Sequence, residues 1–162
     1  RHEDAVALFR LAVEFKLKGR RRAKGDREFE YHGLARSLLN SDQPKEALSH
    51  YRSALREERK QHGDGSIESA ATYYQMATCL RQLDQPKKAC KERQRGYELE
   101  CEAFGAAAVE TLETAVALID DLIAAGADDA AEKVRVDALA AGQAAQSDQE
   151  RNEVLAELRD LG

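Results

Sequence analysis

The stretch Ser41–Ala47, SDQPKEA, returns 42 residues later as Leu83–Ala89, LDQPKKA. A recurring tetrapeptide decides little alone, but here its surroundings recur as well. A shift of 42 pairs Tyr31 with Tyr73, Leu34 with Met76, Ala35 with Ala77 and Leu38 with Leu80. It also pairs Asp42 with Asp84, Pro44 with Pro86 and Ala47 with Ala89. A second shift adds Leu118, Leu122, Gly126 and Ala131 to those columns, and a backward shift reaches Ala5, Phe9 and Ala12. Self-similarity at a fixed period is the signature of a repeat architecture.

Each unit reads as two helices. Tyr31, Leu34, Ala35 and Leu38 follow the i, i+3, i+4, i+7 spacing of one buried helical face, and Tyr73, Met76, Ala77 and Leu80 repeat it. Ala47, Leu48, Tyr51, Ala54 and Leu55 form the stripe of a second helix. Alanines at fixed columns let neighbouring helices approach closely. Asp42, Asp84 and Gly126 share one column just past a first helix, where a left-handed residue is expected. Pro44 and Pro86 follow at a helix start, where a missing N–H costs nothing. Gly63 and Gly105 mark the breaks between units, and Ser66 suits an N-cap. Ser147 and Glu150 have capping-box spacing. They open a predicted helix over 147–161 whose Val154, Leu155, Leu158 and Leu161 would cover the apolar edge of the last unit. The expected architecture is all-α, antiparallel helix pairs in a single domain over 1–162, with that capping helix at its end. Its units run over about 1–24 (partial), 25–66, 67–108 and 109–145.

Composition agrees with this reading. The chain is 43% hydrophobic, 34% charged and only 6% aromatic, with two prolines and no tryptophan. Such usage favours helix over strand. Cys79, Cys90 and Cys101 are odd in number and lack CxxC spacing, which points to reduced thiols and an intracellular, cytoplasmic setting. The most apolar run, Ala115–Ala127, is too short to span a bilayer and contains Asp120 and Asp121, so no membrane partner is expected. The start at Arg1, without methionine, reads as a fragment of a longer protein. Charge is uneven: residues 1–96 carry +7 and residues 97–162 carry −12.

With its columns aligned, the sequence resembles a tetratricopeptide-repeat protein, and more narrowly the long-repeat type of kinesin light chains. The resemblance rests on TYYQMATCLRQLDQPKKA from Thr72 and ALSHYRSALREERKQHG, Ala47 to Gly63, and it covers about residues 2–142. It implies an α-solenoid, a tetratricopeptide-like superhelix whose first helices line a concave face. Where kinesin light chains carry paired asparagines, this chain has His32-Gly33, Tyr74-Gln75 and Val116-Ala117. Arg93 and Arg135 replace the large apolar residue seen at Tyr51 and Phe9.

Projected onto the columns, the resemblance gives a partner-binding face of His32, Arg36, Asn40, Tyr74, Thr78, Arg81, Gln82, Glu113 and Asp120. Phe29, Leu39, Val116 and Ile123 are expected beside them. Arg36 and Arg81 fall at similar heights on adjacent first helices, where two guanidinium forks suit the carboxylates of an acidic peptide. A basic patch, Lys16, Lys18, Arg20, Arg21, Arg22 and Lys24, lies in an inter-unit connection. It lacks the interleaved aromatics of a single-strand binder and reads as a solvated loop before a nucleic-acid site. The four histidines form no HxxxH or HExxH pattern, and no P-loop or nucleophile elbow is present. The expectation is a protein–protein adaptor without catalysis, cofactor or metal. The alternatives are an RNA-associated subunit using the basic half, and self-association through oppositely charged ends.

Overall fold

Asp42 and Asp84 both sit at φ 55°, and Gly126 at φ 72°. The column expected to be left-handed is left-handed in all three units. After the first helix of a pair, the Gln43 N–H donates to the Leu38 carbonyl at 2.9 Å and the Asp42 N–H to Leu39 at 3.1 Å. Ala127 and Gly126 repeat the pattern onto Leu122 and Ile123, each at 2.9 Å. These bonds satisfy carbonyls that a helix end would otherwise leave open. Pro44 and Pro86 then begin the second helices. A carboxylate side chain is a tolerable occupant of the corner, and glycine is the unstrained one.

The computed structural model of the chain describes residues 6–8, 10–11, 26–144 and 149–161, with the side chains of residues 26, 27, 149 and 150 left aside. Residues 6–8 and 10–11 are helical. The longer helices are α1 (Asp26–Asn40), α2 (Pro44–His62), α3 (Ala70–Gln82), α4 (Pro86–Phe104), α5 (Val109–Ala124), α6 (Asp128–Ala144) and α7 (Gln149–Asp160). A single 3-10 turn, Ile67–Ser69, leads into α3; Ser66 stands at its N-cap and makes no side-chain cap bond. No strand occurs among the described residues, and the class is an all-α helical repeat. No described helix is long and apolar enough to cross a membrane. Ser147 of the expected capping box lies outside the described residues.

The chain divides into two compact units, Arg1–Asp84 and Gln85–Gly162. In the first, α2 packs against both α1 and α3. Leu34, Leu38, Tyr51, Met76 and Leu80 are all almost fully buried, and Ala35, Ala47, Ala54 and Ala77 are completely so. The alanine columns therefore lie where helices touch. Tyr31, expected in the same stripe, is only half-buried, and its ring stacks on His50 with centroids 6.1 Å apart.

In the second unit α5 packs against α4, α6 and α7. Val154, Leu155 and Leu158 of α7 join Leu112, Ala115, Val116 and Ile119 of α5 and Ala131 and Ala138 of α6 in one cluster, with Leu161 partly buried against it. Gly142 permits this closeness: a Cβ there would stand 2.5 Å from Leu155 Cδ2 and 3.3 Å from its Cγ.

Candidate functional site

The first helices of the first unit present a polar surface. Arg36 and Asn40 lie one helical turn apart on α1 and are exposed, as are Arg81 and Gln82 near the end of α3. Tyr74 and Thr78 are half-buried, and the Thr78 hydroxyl donates to the Tyr74 carbonyl at 3.1 Å. Arg36 also reaches inward electrostatically. Burial pushes the Tyr51 hydroxyl up to about 12, and the nearby Arg36 charge works in the opposite sense. In the second unit, Glu113 and Asp120 are exposed on α5, as is Ile123. Val116, expected beside them, is buried in the core, because α7 lies over that part of α5. Phe29 is 84% exposed. The basic patch Lys16, Lys18, Arg20, Arg21, Arg22 and Lys24 lies outside the described residues.

His32 belongs to a different setting. Its Nε2 is 2.7 Å from Glu58 Oε1, and its ring meets Tyr51 edge-on with centroids 5.7 Å apart. The Thr72 hydroxyl donates to the same Glu58 oxygen at 2.6 Å and stands 3.0 Å from His32 Nε2. Glu28, four residues before His32 on α1, brings a carboxylate oxygen to the same place. Three helices thus converge on one polar cluster: α1 supplies Glu28 and His32, α2 supplies Glu58 and α3 supplies Thr72. Glu58 is completely buried. Sequence reading missed it, although a signal existed. The 42-residue shift pairs Glu58 with Glu100 and Thr72 with Thr114. Glu100 is hydrogen-bonded to Thr114 in turn, and burial raises its carboxyl above the ordinary range despite that bond.

A second buried polar pair holds α4 to α5. Arg93 Nε donates to Asp121 Oδ2 at 2.6 Å, with both side chains about 95% buried or more. Arg93 occupies the column of Tyr51, and Asp121 the column of Cys79. The two columns change together from apolar to charged, which is the sequence signal for the pair. Arg135, the next member of Tyr51's column, instead lies toward the surface, where its Nε and Nη2 donate to Glu132 at 2.8 and 2.7 Å. Cys79 is buried, and its thiol is pushed up to about 11 by that burial, which leaves it a poor nucleophile.

Residues 30–99 match the family model for the tetratricopeptide repeat. A comparison with curated proteins returns no match. Among solved structures, the chain resembles BtubC (BKLC) from P. vanneervenii, with 18% identity and a TM-score of 0.79. That likeness covers 99% of this chain and 65% of BtubC, so the chain spans just under two thirds of that relative. It also resembles a substituted form of a kinesin light chain-like protein with nearly identical TPR-like repeats from Podosopora anserina. There the identity is 18% and the TM-score 0.84, over 99% of this chain and 76% of that one. A second structure of the P. anserina repeat protein gives 17% identity and a TM-score of 0.78 over 99% and 86%. At these identities the likeness speaks for the fold. Residues 30–99 thus match the tetratricopeptide repeat, and the chain has the fold of the kinesin light chain-like repeat proteins.

Proposed function

We propose that the chain is a non-catalytic protein-interaction module that binds an extended, acidic segment of a partner along its first helices. Tetratricopeptide repeats are interaction and scaffolding elements, and the kinesin light chain-like neighbours support an adaptor reading over an enzymatic one. The observation that carries the proposal is the exposure of Arg36, Asn40, Arg81 and Gln82 on α1 and α3, while the apolar stripes of those helices are buried. Polar side chains held on rigid helices lose little freedom on binding, and guanidinium groups prefer carboxylates.

The test is binding of an acidic peptide array to wild type and to the R36E/R81E double variant. Charge reversal is expected to remove most of the binding while leaving the helical content unchanged. Equal binding by both proteins would overturn the proposal. RNA association remains tied to the basic Lys16–Lys24 segment, and filter binding against salt separates it from peptide binding through its steep salt slope. Self-association of the +7 and −12 halves would instead show as a salt-sensitive change in light scattering.

A further inference from the structure

Among the described residues, Glu28, His32 and Glu58 are a set whose possible ligand atoms all lie within 4.8 Å of one another. Their arrangement differs from a chance gathering of surface acids. Glu28 and His32 are four apart on α1 and so share one helical face. Glu58 enters from α2 with its side chain 0% exposed. Its Oε1 receives the Thr72 hydroxyl and meets His32, but its Oε2 is buried with no hydrogen-bond partner. A carboxylate oxygen buried without a donor is costly, and the Glu28 carboxylate, within 4.8 Å of the Glu58 carboxylate, adds repulsion. Glu28 and His32 remain 24% and 31% exposed at the side chain, which leaves a path for an ion from solvent.

We propose that Glu28, His32 and Glu58 bind one divalent transition-metal ion of the zinc class. One imidazole and two carboxylates suit such an ion, with water in the remaining position of a tetrahedral site. Metal–ligand bonds of about 2.0–2.2 Å place tetrahedral donor atoms roughly 3.3–3.6 Å apart, a spacing between the 2.7 Å from His32 Nε2 to Glu58 Oε1 and the 4.8 Å bound on the set. The Thr72 hydroxyl would stay on Glu58 and orient it, as outer-shell donors do for ligating carboxylates. His62, whose Nε2 lies 3.9 Å from Glu28 Oε2, and Gln61, whose amide is 3.4 Å from that oxygen, bound the site on the α2 side.

The repeat supplies an internal control. In the next unit the columns of Glu58 and Thr72 are kept as Glu100 and Thr114, whereas those of Glu28 and His32 hold Ala70 and Tyr74. The two residues that convert a buried Glu–Thr pair into a ligand set occur in one unit only. A single equivalent of metal is therefore expected.

The experiment is calorimetric titration of the chelator-treated full chain with zinc sulfate, alongside cobalt(II) absorption. Wild type should take up one equivalent with saturation, and cobalt should give tetrahedral visible bands without thiolate charge transfer. Glu28→Gln and His32→Gln should each weaken binding at least tenfold while keeping the metal-free circular dichroism of wild type. His50→Gln, outside the ligand set, should bind as wild type does. Absence of saturable binding overturns the proposal. So does undiminished binding by the Glu28 and His32 variants, or a thiolate charge-transfer band that assigns the metal to the cysteines.

Discussion

Arg93 Nε donates to Asp121 Oδ2 at 2.6 Å across 28 residues, the interval that separates Tyr51 from Cys79 one repeat earlier. The column that holds α2's aromatic in the first unit holds α4's guanidinium in the second. A buried pair of this kind contributes little net stability, but removing one partner leaves an uncompensated charge.

Asp121→Asn is therefore expected to lower unfolding free energy by about 3–5 kcal/mol. The double variant R93Y/D121C installs the residue types of the earlier columns and should recover most of that loss. Urea unfolding of the single and double variants forms a cycle with large coupling; simple additivity would show that the pair does not act as a unit.

The left-handed corners make a second prediction. Asp42 and Asp84 at φ 55° already occupy a conformation that glycine adopts at Gly126. Asp84→Gly should change stability by no more than about 0.5 kcal/mol, since relief of strain offsets added chain entropy. Asp84→Val should cost about 1–2 kcal/mol because a branched Cβ is least tolerated there. Thermal melts of the two variants distinguish a corner requirement from a role for the aspartate carboxylate, which would make both substitutions harmful.

At Gly142 two effects oppose each other. Helix propensity favours alanine by about 1 kcal/mol. The new Cβ, however, meets Leu155 Cδ2 at 2.5 Å, and Cγ at 3.3 Å prevents escape by rotating the isobutyl tip alone. Overpacking of this kind costs about 1–3 kcal/mol, so Gly142→Ala should melt lower than wild type. A higher melting temperature would mean that α6 and α7 separate easily.

Glu100 gives a pH prediction. Its carboxyl is raised chiefly by burial, with Glu110 and Glu113 adding to the effect and Thr114 opposing it. A raised pKa means that the folded state holds the proton more tightly than the unfolded chain. The contribution is fully present below the ordinary carboxylate pKa of about 4.3 and is lost as pH rises through the raised value. Glu100→Gln should flatten that part of the stability profile and raise the melting temperature at neutral pH. An unchanged slope would exclude Glu100 as its source.

The period, the corners and the apolar stripes were legible in the residues because each is a repeated backbone or packing requirement. Asp42, Asp84 and Gly126 answer one φ demand, while Leu34, Ala35 and Leu38 answer one helical face. The polar interior was less legible. His32 is half-exposed by column position, yet Glu58 and Thr72 draw its imidazole inward, and hydropathy does not report such pairings. Val116 departs from expectation for another reason. Its column lies open in an average first helix, but α7 covers that part of α5. Arg36 and Arg81 are exposed on α1 and α3; what they bind is a matter of partner chemistry that an exposed side chain does not encode.

Repeats that share one helix geometry face a folding hazard, since a helix can dock against the equivalent neighbour one period away. The unlike interfaces bear on that hazard. A one-repeat slip that put α4 in α2's place against α3 would bring Arg93 onto the Cys79 column. The opposite slip, with α2 in α4's place against α5, would set Tyr51 against Asp121. Either mistake strands a charge in an apolar seam, whereas the correct register pairs it. The Arg93–Asp121 bond thus works as a checksum on the order of assembly, enforced during folding by the states it makes unfavourable.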